Sequence, residues 1–365
     1  MDIRRKDKIL CIIFALFFAA GFLLCVFYPK ENYSDSERRK LSALPELSAK
    51  TVWNGRFMSG FETFAADTFP FREQFRTVKA LTAAGIFQRG DNNGIYVSEG
   101  FLSKLEYPMN AASLDRALSR FRYVCGKYLT EENRVFLSVI PDKNCFLAKE
   151  SGRPSMDYQA FEDYVKREAD FAEYITISDL LEKEDYYKTD THWRQERIGD
   201  VAKRLAEGMG GALLEEYEVH TLDADFYGVY YGQAALPLLP DEMKYLTGEA
   251  ISACKVYDWQ NGREIPVYSM EKAEGKDPYE MFLSGPLSLV TIENPLAKEG
   301  KRLIIFRDSF GSAIAPLLVS GYSEITLADI RYMNPDNLGK FVDFEGCDVL
   351  FLYSTLVLNN SETLK

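Results

Sequence analysis

The chain has 365 residues, 47% of them apolar, which is enough for one large domain or two ordinary ones with a full core. Its formal net charge is −12 at pH 7, and because such a surface repels phosphate backbones we expect no nucleic-acid partner. The six cysteines have no CxxC spacing and only two histidines are present, which argues against a metal site and leaves one or two disulfides as an alternative to free thiols.

The N-terminus has a pattern typical of a membrane anchor. Residues 1–8 form a tail with four basic side chains, and an unbroken apolar run follows over residues 9–28. A helix of this length rises about 30 Å, the thickness of a bilayer's hydrocarbon core. The run lacks the small-x-small site at which signal peptides are cleaved. We therefore predict a cytoplasmic tail, a transmembrane signal anchor, and a single-pass protein of the cell membrane whose bulk is extracytoplasmic.

The region after the anchor changes from a polar stretch to a phenylalanine-rich one near residue 54. Residues 29–53 are polar and charged, which predicts a juxtamembrane linker. One extracytoplasmic domain is expected over residues 54–365. Its first part repeats phenylalanine at mostly helical spacings, a pattern that favours core residues over a ligand site. These residues are Phe57, Phe61, Phe64, Phe69, Phe71 and Phe75. A β-hairpin is predicted next, from residues 95–97 and 101–102.

Beyond residue 110 the pattern alternates between helices and apolar strands. Helical spacing of apolar residues recurs around residues 111–125, 163–172 and 198–205. Five strands are predicted, at residues 135–140, 174–179, 303–306, 324–328 and 348–353. Strands joined by helices predict an α/β fold with a mostly parallel, doubly wound sheet. The stretch at about 208–292 breaks this rhythm and is predicted to be a β-rich insertion.

A serine follows one of these strands directly. The strand at residues 303–306 stops at Arg307-Asp308-Ser309 and gives way to a helical pattern. Such a serine lies at the carboxyl edge of the sheet, beside the backbone N–H groups of the helix start. Access and oxyanion donors are what an acyl-transfer nucleophile needs. The alternative is that Asp308 or Ser309 only caps the helix.

A histidine and a carboxylate lie close together elsewhere in the sequence. His192 follows Asp190 by two residues in a polar turn, whereas His220 stands alone and is interpreted as an ordinary polar residue. A serine needs a base near neutral pKa, and the base needs a group that fixes its tautomer. Ser309, His192 and Asp190 together supply these three roles. The alternative is that Asp190 or Thr191 caps the following helix.

Four motifs taken together resemble a known group of proteins. They are Asp-x-His-Trp at Asp190, Arg-Asp-Ser at Arg307, Phe-Pro-x-Arg at Phe69, and Asp-x-Arg-Tyr at Asp329. In order and spacing they resemble the DHHW family and the AlgJ/AlgX-type alginate O-acetylation proteins, over residues 37–359 and least in the stretch at 208–292. The resemblance implies an SGNH-hydrolase-like, three-layer α/β fold in which the Asp-His pair precedes the serine.

The resemblance also implies roles for individual residues. Ser309 would be the nucleophile, His192 the base and Asp190 its orienting carboxylate, with backbone N–H groups at Ser309 and Gly311 as the oxyanion donors. Thr191 stands where the DHHW name calls for a first histidine, a departure that the AlgJ/AlgX form tolerates. The candidates for substrate binding are Arg331, Tyr332 and Trp193. The alternatives are that Arg331 forms an ion pair with Asp329 and that the two aromatic residues pack in the core.

These features lead to three hypotheses. The first is an extracytoplasmic O-acetyltransferase that acts on a cell-surface or secreted polysaccharide, holds no cofactor, and receives acetyl groups from a membrane acyl-transfer partner of the MBOAT type that accompanies the family. The second keeps the triad but transfers the acetyl group to water, as a carbohydrate acetylesterase. The third is a non-catalytic envelope assembly protein, which a separation of more than about 6 Å between the Ser309 hydroxyl and the His192 ring would favour.

Overall fold

The computed structural model describes residues 3–213, 215–297 and 301–365. The chain divides into two compact units. The first comprises the chain up to Asn93 together with Gly232–Pro237, and the second comprises Gly94–Tyr231 and Leu238–Lys365. Residues 54–93, expected in the same domain as the predicted strands, therefore belong to the first unit.

The first unit begins with a long apolar helix. Its elements are α1 (Ile3–Phe27), β1 (Tyr33–Ser34), β2 (Arg39–Lys40), α2 (Ala49–Trp53), α3 (Arg56–Asp67) and α4 (Arg72–Gly85). Within the described residues, α1 alone is long and apolar enough to cross a membrane. The strands β1 and β2 pair antiparallel inside the predicted linker.

Polar contacts organise much of this unit. Asp67 is buried and accepts two hydrogen bonds from the Arg39 guanidinium, at 2.6 and 3.0 Å, which hold the pKa of its carboxyl below the ordinary value. The prediction that the six phenylalanines form a core is wrong, because all of them are exposed or half-buried. The side chains that α4 buries are instead small, at Ala80 and Ala83.

The second unit carries the predicted alternation of helices and strands. Its elements, in chain order, are β3 (Ile95–Ser98), β4 (Phe101–Lys104), α5 (Ala111–Tyr128), β5 (Val135–Ile140), α6 (Asn144–Leu147), α7 (Tyr158–Glu168), β6 (Glu173–Tyr174), α8 (Gly199–Gly208), β7 (Glu218–Phe226), α9 (Val229–Ala234, whose last residues count with the first unit), β8 (Asp241–Thr247), α10 (Glu249–Ala253), β9 (Lys255–Asp258), β10 (Arg263–Ile265), α11 (Met270–Ala273), β11 (Leu289–Glu293), β12 (Lys301–Arg307), α12 (Gly311–Leu318), β13 (Tyr322–Ala328), β14 (Cys347–Ser354) and α13 (Thr355–Leu358).

Eight strands form the central sheet, in the order β10-β9-β11-β13-β12-β14-β5-β6. The strands β13, β12, β14, β5 and β6 run parallel, and they are the five strands predicted from the sequence. The register places Ile304 of β12 between Thr326 and Val349. The predicted α/β fold with a mostly parallel sheet is confirmed.

Helices cover both faces of the parallel strands. Along β12, Leu303 and Ile305 pack in one core cluster with Val201 of α8, whereas Ile304 and Phe306 pack in a second cluster with Phe121 of α5. Successive side chains of a strand point to opposite faces, so alternate residues of the apolar run at residues 303–306 pack against different helical layers. The result is a three-layer α/β/α arrangement.

Two sequence predictions differ from the structure in detail. The strand expected at residues 174–179 is only two residues long, and a 3₁₀ turn at Ser178–Leu180 follows it. The stretch predicted as a β-rich insertion provides a separate hairpin, β7 with β8. It also extends the central sheet, because β9 pairs antiparallel with β11 and β10 pairs antiparallel with β9. The side chains of β9 alternate between exposed and buried, as expected for a strand with one covered face.

Candidate active site

Ser309 lies at the carboxyl end of β12, in the middle of the sheet. The turn at residues 308–310 connects β12 to α12, and Ser309 is half-buried there. Asp308 shapes this turn, because one of its carboxylate oxygens accepts the Phe310 N–H at 3.1 Å and the other accepts the Ser354 N–H at 2.8 Å. Asp308 therefore stabilises the turn, but α12 begins without a side-chain cap, so the alternative that Asp308 or Ser309 only caps this helix is wrong.

Asp190 and His192 lie on a short loop that closes like a hairpin. Tyr186 and Trp193 form an isolated antiparallel bridge, and the Tyr187 N–H donates to the His192 carbonyl at 3.1 Å. A 3₁₀ turn at Gln195–Arg197 separates this loop from α8, which begins without a side-chain cap. The alternative that Asp190 or Thr191 caps α8 is therefore wrong.

The structure brings Ser309, His192 and Asp190 into one chain of hydrogen bonds. The His192 Nδ1 lies 2.5 Å from the Asp190 Oδ1, and the His192 Nε2 lies 2.7 Å from the Ser309 Oγ. The distance from Nε2 to Oγ is far below the separation of about 6 Å beyond which the non-catalytic hypothesis would be favoured. With Nδ1–H donated to the carboxylate, Nε2 is left to accept the hydroxyl proton. This geometry can activate a serine as a nucleophile.

Asp190 is fixed by backbone groups as well as by the ring. Its side chain is fully buried, its Oδ1 also accepts the His192 N–H at 3.0 Å, and its Oδ2 accepts the Val229 N–H at 2.7 Å. Gly228 makes this approach possible, since a Cβ there would lie 2.2 Å from the Asp190 Cβ. Gly228 and Val229 lie in the stretch predicted as an insertion, and the sequence analysis did not identify them as part of the site. The only signal was a glycine in an aromatic stretch.

Tyr279 covers one face of the histidine. Its ring stacks on the His192 imidazole with the centroids 3.8 Å apart and the planes 8° apart. Tyr279 lies on a 3₁₀ turn, Pro278–Met281, and is buried. Phe310 contacts the imidazole as well, at 5.0 Å between centroids. Together these aromatic rings restrict the imidazole to the plane in which it meets Ser309.

A buried lysine supports the loop from behind. Lys143, which follows the carboxyl end of β5, is 1% exposed, and its Nζ donates to the Tyr187 carbonyl at 2.7 Å and to the Lys188 carbonyl at 3.3 Å. Burial lowers the pKa of Lys143 to about 7. Asp241 holds the same loop from another side, accepting the Thr189 N–H at 2.7 Å. The Asp190 loop is thus anchored at several backbone groups.

The two expected oxyanion donors differ in their availability. The Gly311 N–H donates to the Asp308 carbonyl at 3.1 Å, so it is already engaged in the turn. The Ser309 N–H donates to no residue in the described part of the chain. Gly311 is needed for another reason, because a Cβ there would lie 2.6 Å from the side chain of the buried Arg307.

Three further candidates were expected near the substrate. Trp193 is fully buried and donates from Nε1 to the Phe310 carbonyl at 3.1 Å, so it packs under the site and the expectation that it contacts substrate is contradicted. Arg331 forms the ion pair with Asp329 that the alternative predicted, with 2.7 Å between Nη2 and Oδ2. Tyr332 is half exposed, and the Arg331 guanidinium lies over its ring at 5.3 Å from the centroid.

His220 and the cysteines belong to no candidate metal site in the described residues. His220 accepts or donates one hydrogen bond with Thr247, at 2.7 Å, and stacks on Tyr245, as expected of an ordinary polar residue. Over residues 3–213, 215–297 and 301–365, no three His, Cys, Asp or Glu side chains are close enough to hold a metal ion, and the six cysteines are free thiols.

Comparison with known proteins gives structural matches only. No protein-family model matches the chain, and no curated protein matches it by sequence. A DHHW family protein from Eubacterium siraeum is 22% identical, with a TM-score of 0.61 over 75% of this chain and 95% of its own. PatB1 of Bacillus cereus, solved with a sulfonyl adduct, is 16% identical, with a TM-score of 0.58 over 72% of this chain and 95% of its own.

A third match is more distant. The O-acetyltransferase domain of Pseudomonas putida AlgJ is 12% identical, with a TM-score of 0.44 over 73% of this chain and 92% of its own. The first two matches agree with the resemblance seen in the Asp-x-His-Trp and Arg-Asp-Ser motifs. The chain therefore has an α/β fold similar to the folds of a DHHW family protein and of PatB1.

Proposed function

We propose that this protein is a membrane-anchored, extracytoplasmic O-acetyltransferase that modifies a cell-surface or secreted polysaccharide. The observation that carries the proposal is the hydrogen-bonded series from Asp190 through His192 to Ser309 at the end of the central strand. The sequence motifs and the fold shared with a DHHW family protein support it. The apolar helix α1 supports the anchor, and the acidic chain fits a glycan better than a nucleic acid.

The proposed reaction has two half-reactions. The Ser309 Oγ attacks the carbonyl carbon of an acetyl donor while its proton passes to the His192 Nε2, and the donor's leaving group departs with that proton. A sugar hydroxyl then attacks the acetyl-serine and loses its proton to the same nitrogen, which returns it to Ser309. The Ser309 N–H is a donor for the oxyanion in both steps. An MBOAT-type membrane partner would supply the acetyl group, since this chain is proposed to work outside the cytoplasm.

The proposal is tested with p-nitrophenyl acetate as the acetyl donor. The full chain should release p-nitrophenol, and Ser309→Ala should lower this turnover by about 10⁴-fold or more. Ser320→Ala is the matched control, because the buried Ser320 hydroxyl has no hydrogen-bond partner in the described residues and its loss should leave activity and stability unchanged. A folded Ser309→Ala protein that turns over p-nitrophenyl acetate at the wild-type rate would end the proposal.

The same assay separates a transferase from an esterase. With an oligosaccharide acceptor present, a transferase forms an acetylated sugar, detected by mass spectrometry, whereas an acetylesterase forms only free acetate. The choice depends on whether the occupied site excludes water from the acetyl-serine. The side chain of His192 is 10% exposed, which agrees with a site that already limits the access of water.

A further inference from the structure

The helix α4 in the first unit exposes an apolar stripe. Its four side chains are each between 48% and 58% exposed. They are Phe71, which precedes the helix directly, and Phe75, Val78 and Leu81. At 100° per residue, spacings of three and four place these side chains along one side of the helix. Contiguous exposed apolar surface of this kind is uncommon on soluble proteins and marks a contact site.

The stripe faces away from the part of α4 that packs against its own unit. The buried residues of α4 are Ala80 and Ala83, and the Arg76 side chain beside them is only 13% exposed. On a helical wheel Ala80, Ala83 and Arg76 lie about 140–160° from Val78, which is near the middle of the stripe. The apolar side chains are therefore not a core left partly open, because the helix packs through its other side.

The stripe begins where the apolar helix α1 ends. The Tyr28 ring, which follows α1 directly, contacts the Phe71 ring with the centroids 5.3 Å apart. Two residues further on, the Lys30 Nζ lies 4.7 Å from the centroid of the Phe64 ring, on α3. If α1 spans a bilayer, these contacts place Phe71, at the start of α4, and Phe64 of α3 at the level where α1 leaves it.

The composition of the three short helices fits that position. Trp53, at the end of α2, is 95% exposed, and aromatic side chains favour the boundary between headgroups and acyl chains. Residues 49–85 contain five basic and three acidic side chains, in a chain whose net charge is −12. A locally positive segment is attracted to anionic lipid headgroups.

We infer that the apolar stripe of α4 lies in the headgroup region of an anionic phospholipid bilayer, next to the point at which α1 emerges. The continuity from Tyr28 to Phe71 favours lipid over a soluble partner as the occupant. The inference rests on the membrane anchor that is part of the proposed function, and it does not depend on the acetyl-transfer chemistry.

Tryptophan fluorescence tests the inference in the full chain. The protein is reconstituted in nanodiscs of phosphatidylcholine and phosphatidylglycerol whose acyl chains are either brominated or unbrominated. Trp53→Phe removes the exposed native fluorophore of the first unit and leaves Trp193 and Trp259 in the second unit. In that background Phe75→Trp places a reporter on the stripe, and Val78→Trp provides a second reporter in case the first variant does not fold.

The expected result is a loss of reporter emission in brominated nanodiscs and a blue-shifted maximum, beyond any change seen with Trp53→Phe alone. Equal reporter emission in brominated and unbrominated nanodiscs, from a chain that is embedded in them, would overturn the inference and point to a protein partner. Failure of the anchor gives a different result: the chain does not enter nanodiscs, or its intact mass in membranes lacks the residues of α1.

Discussion

Gly228→Ala is the substitution whose effect follows most directly from the geometry of the site. A methyl group at position 228 would lie 2.2 Å from the Asp190 Cβ and 2.3 Å from the Asp190 Cα. Ordinary contacts between carbon atoms are about 3.5–4.0 Å, so the two segments must separate by about 1.3–1.8 Å. A displacement of about 1 Å at a catalytic group can lower the rate by about 10²-fold. We therefore expect p-nitrophenyl acetate turnover to fall by at least about 10²-fold.

The same substitution should lower the free energy of unfolding by about 1–3 kcal/mol, measured by urea denaturation. The displacement also breaks the hydrogen bond from the Val229 N–H to Asp190. Gly199→Ala is the matched control, because Gly199 starts α8 and a Cβ there has nothing within 4 Å. Wild-type activity and stability in Gly228→Ala would refute the reasoning that this close approach positions Asp190.

Three other substitutions test neighbouring groups in the same assays. Asp190→Asn should lower turnover by at least about 10²-fold, because an amide cannot accept from both Val229 and His192 and carries no charge to stabilise the imidazolium; unchanged turnover would contradict this. Burial lowers the pKa of Lys143 to about 7 in the folded protein. Above about pH 7 Lys143 is therefore mostly neutral when folded but still protonated when unfolded, so the free energy of unfolding should rise by about 2–3 kcal/mol up to about pH 9. Lys143→Met should abolish this rise. Tyr279→Leu should lower turnover by about 10-fold by releasing His192 from its stacked position, whereas Tyr279→Phe should be neutral because the buried hydroxyl has no partner in the described residues.

Local sequence patterns were sufficient to find the groups at the centre of the site. The strand at residues 303–306 and the Asp-Ser turn after it are visible as a change from apolar to small residues, and the structure confirms the strand and the helix that follows. The Asp190-Thr191-His192 turn stands out because histidine is rare in this chain. Parallel strands bring their carboxyl ends to one edge, which makes the meeting of distant turns foreseeable.

The groups that hold the central residues in place could not be found in this way. Gly228 matters because two backbones approach closely, and Tyr279 because one ring stacks on another. Neither contact has a local sequence signature, since each joins segments far apart in the chain. The buried Lys143 reads in sequence as an ordinary surface charge after Pro141-Asp142. Long-range packing decides these roles.

The phenylalanines of the first unit show a second limit. Helical spacing correctly indicates that several of them share one side of a helix, but it does not indicate what covers that side. The prediction of a core failed because α4 packs through Ala80 and Ala83 instead. An apolar stripe on a helix predicts a contact surface, and that surface can belong to a lipid bilayer or another molecule outside the chain.

The activation of Ser309 by His192 is the central claim, and labelling with phenylmethylsulfonyl fluoride tests it most directly. An activated serine attacks the sulfonyl sulfur and expels fluoride, so peptide mass spectrometry should find the adduct on Ser309. His192→Ala should abolish the adduct, whereas His220→Ala should not, because His220 contacts Thr247 and Tyr245 in a separate hairpin. A folded protein that forms no adduct at Ser309, or forms it equally fast without His192, would contradict the account.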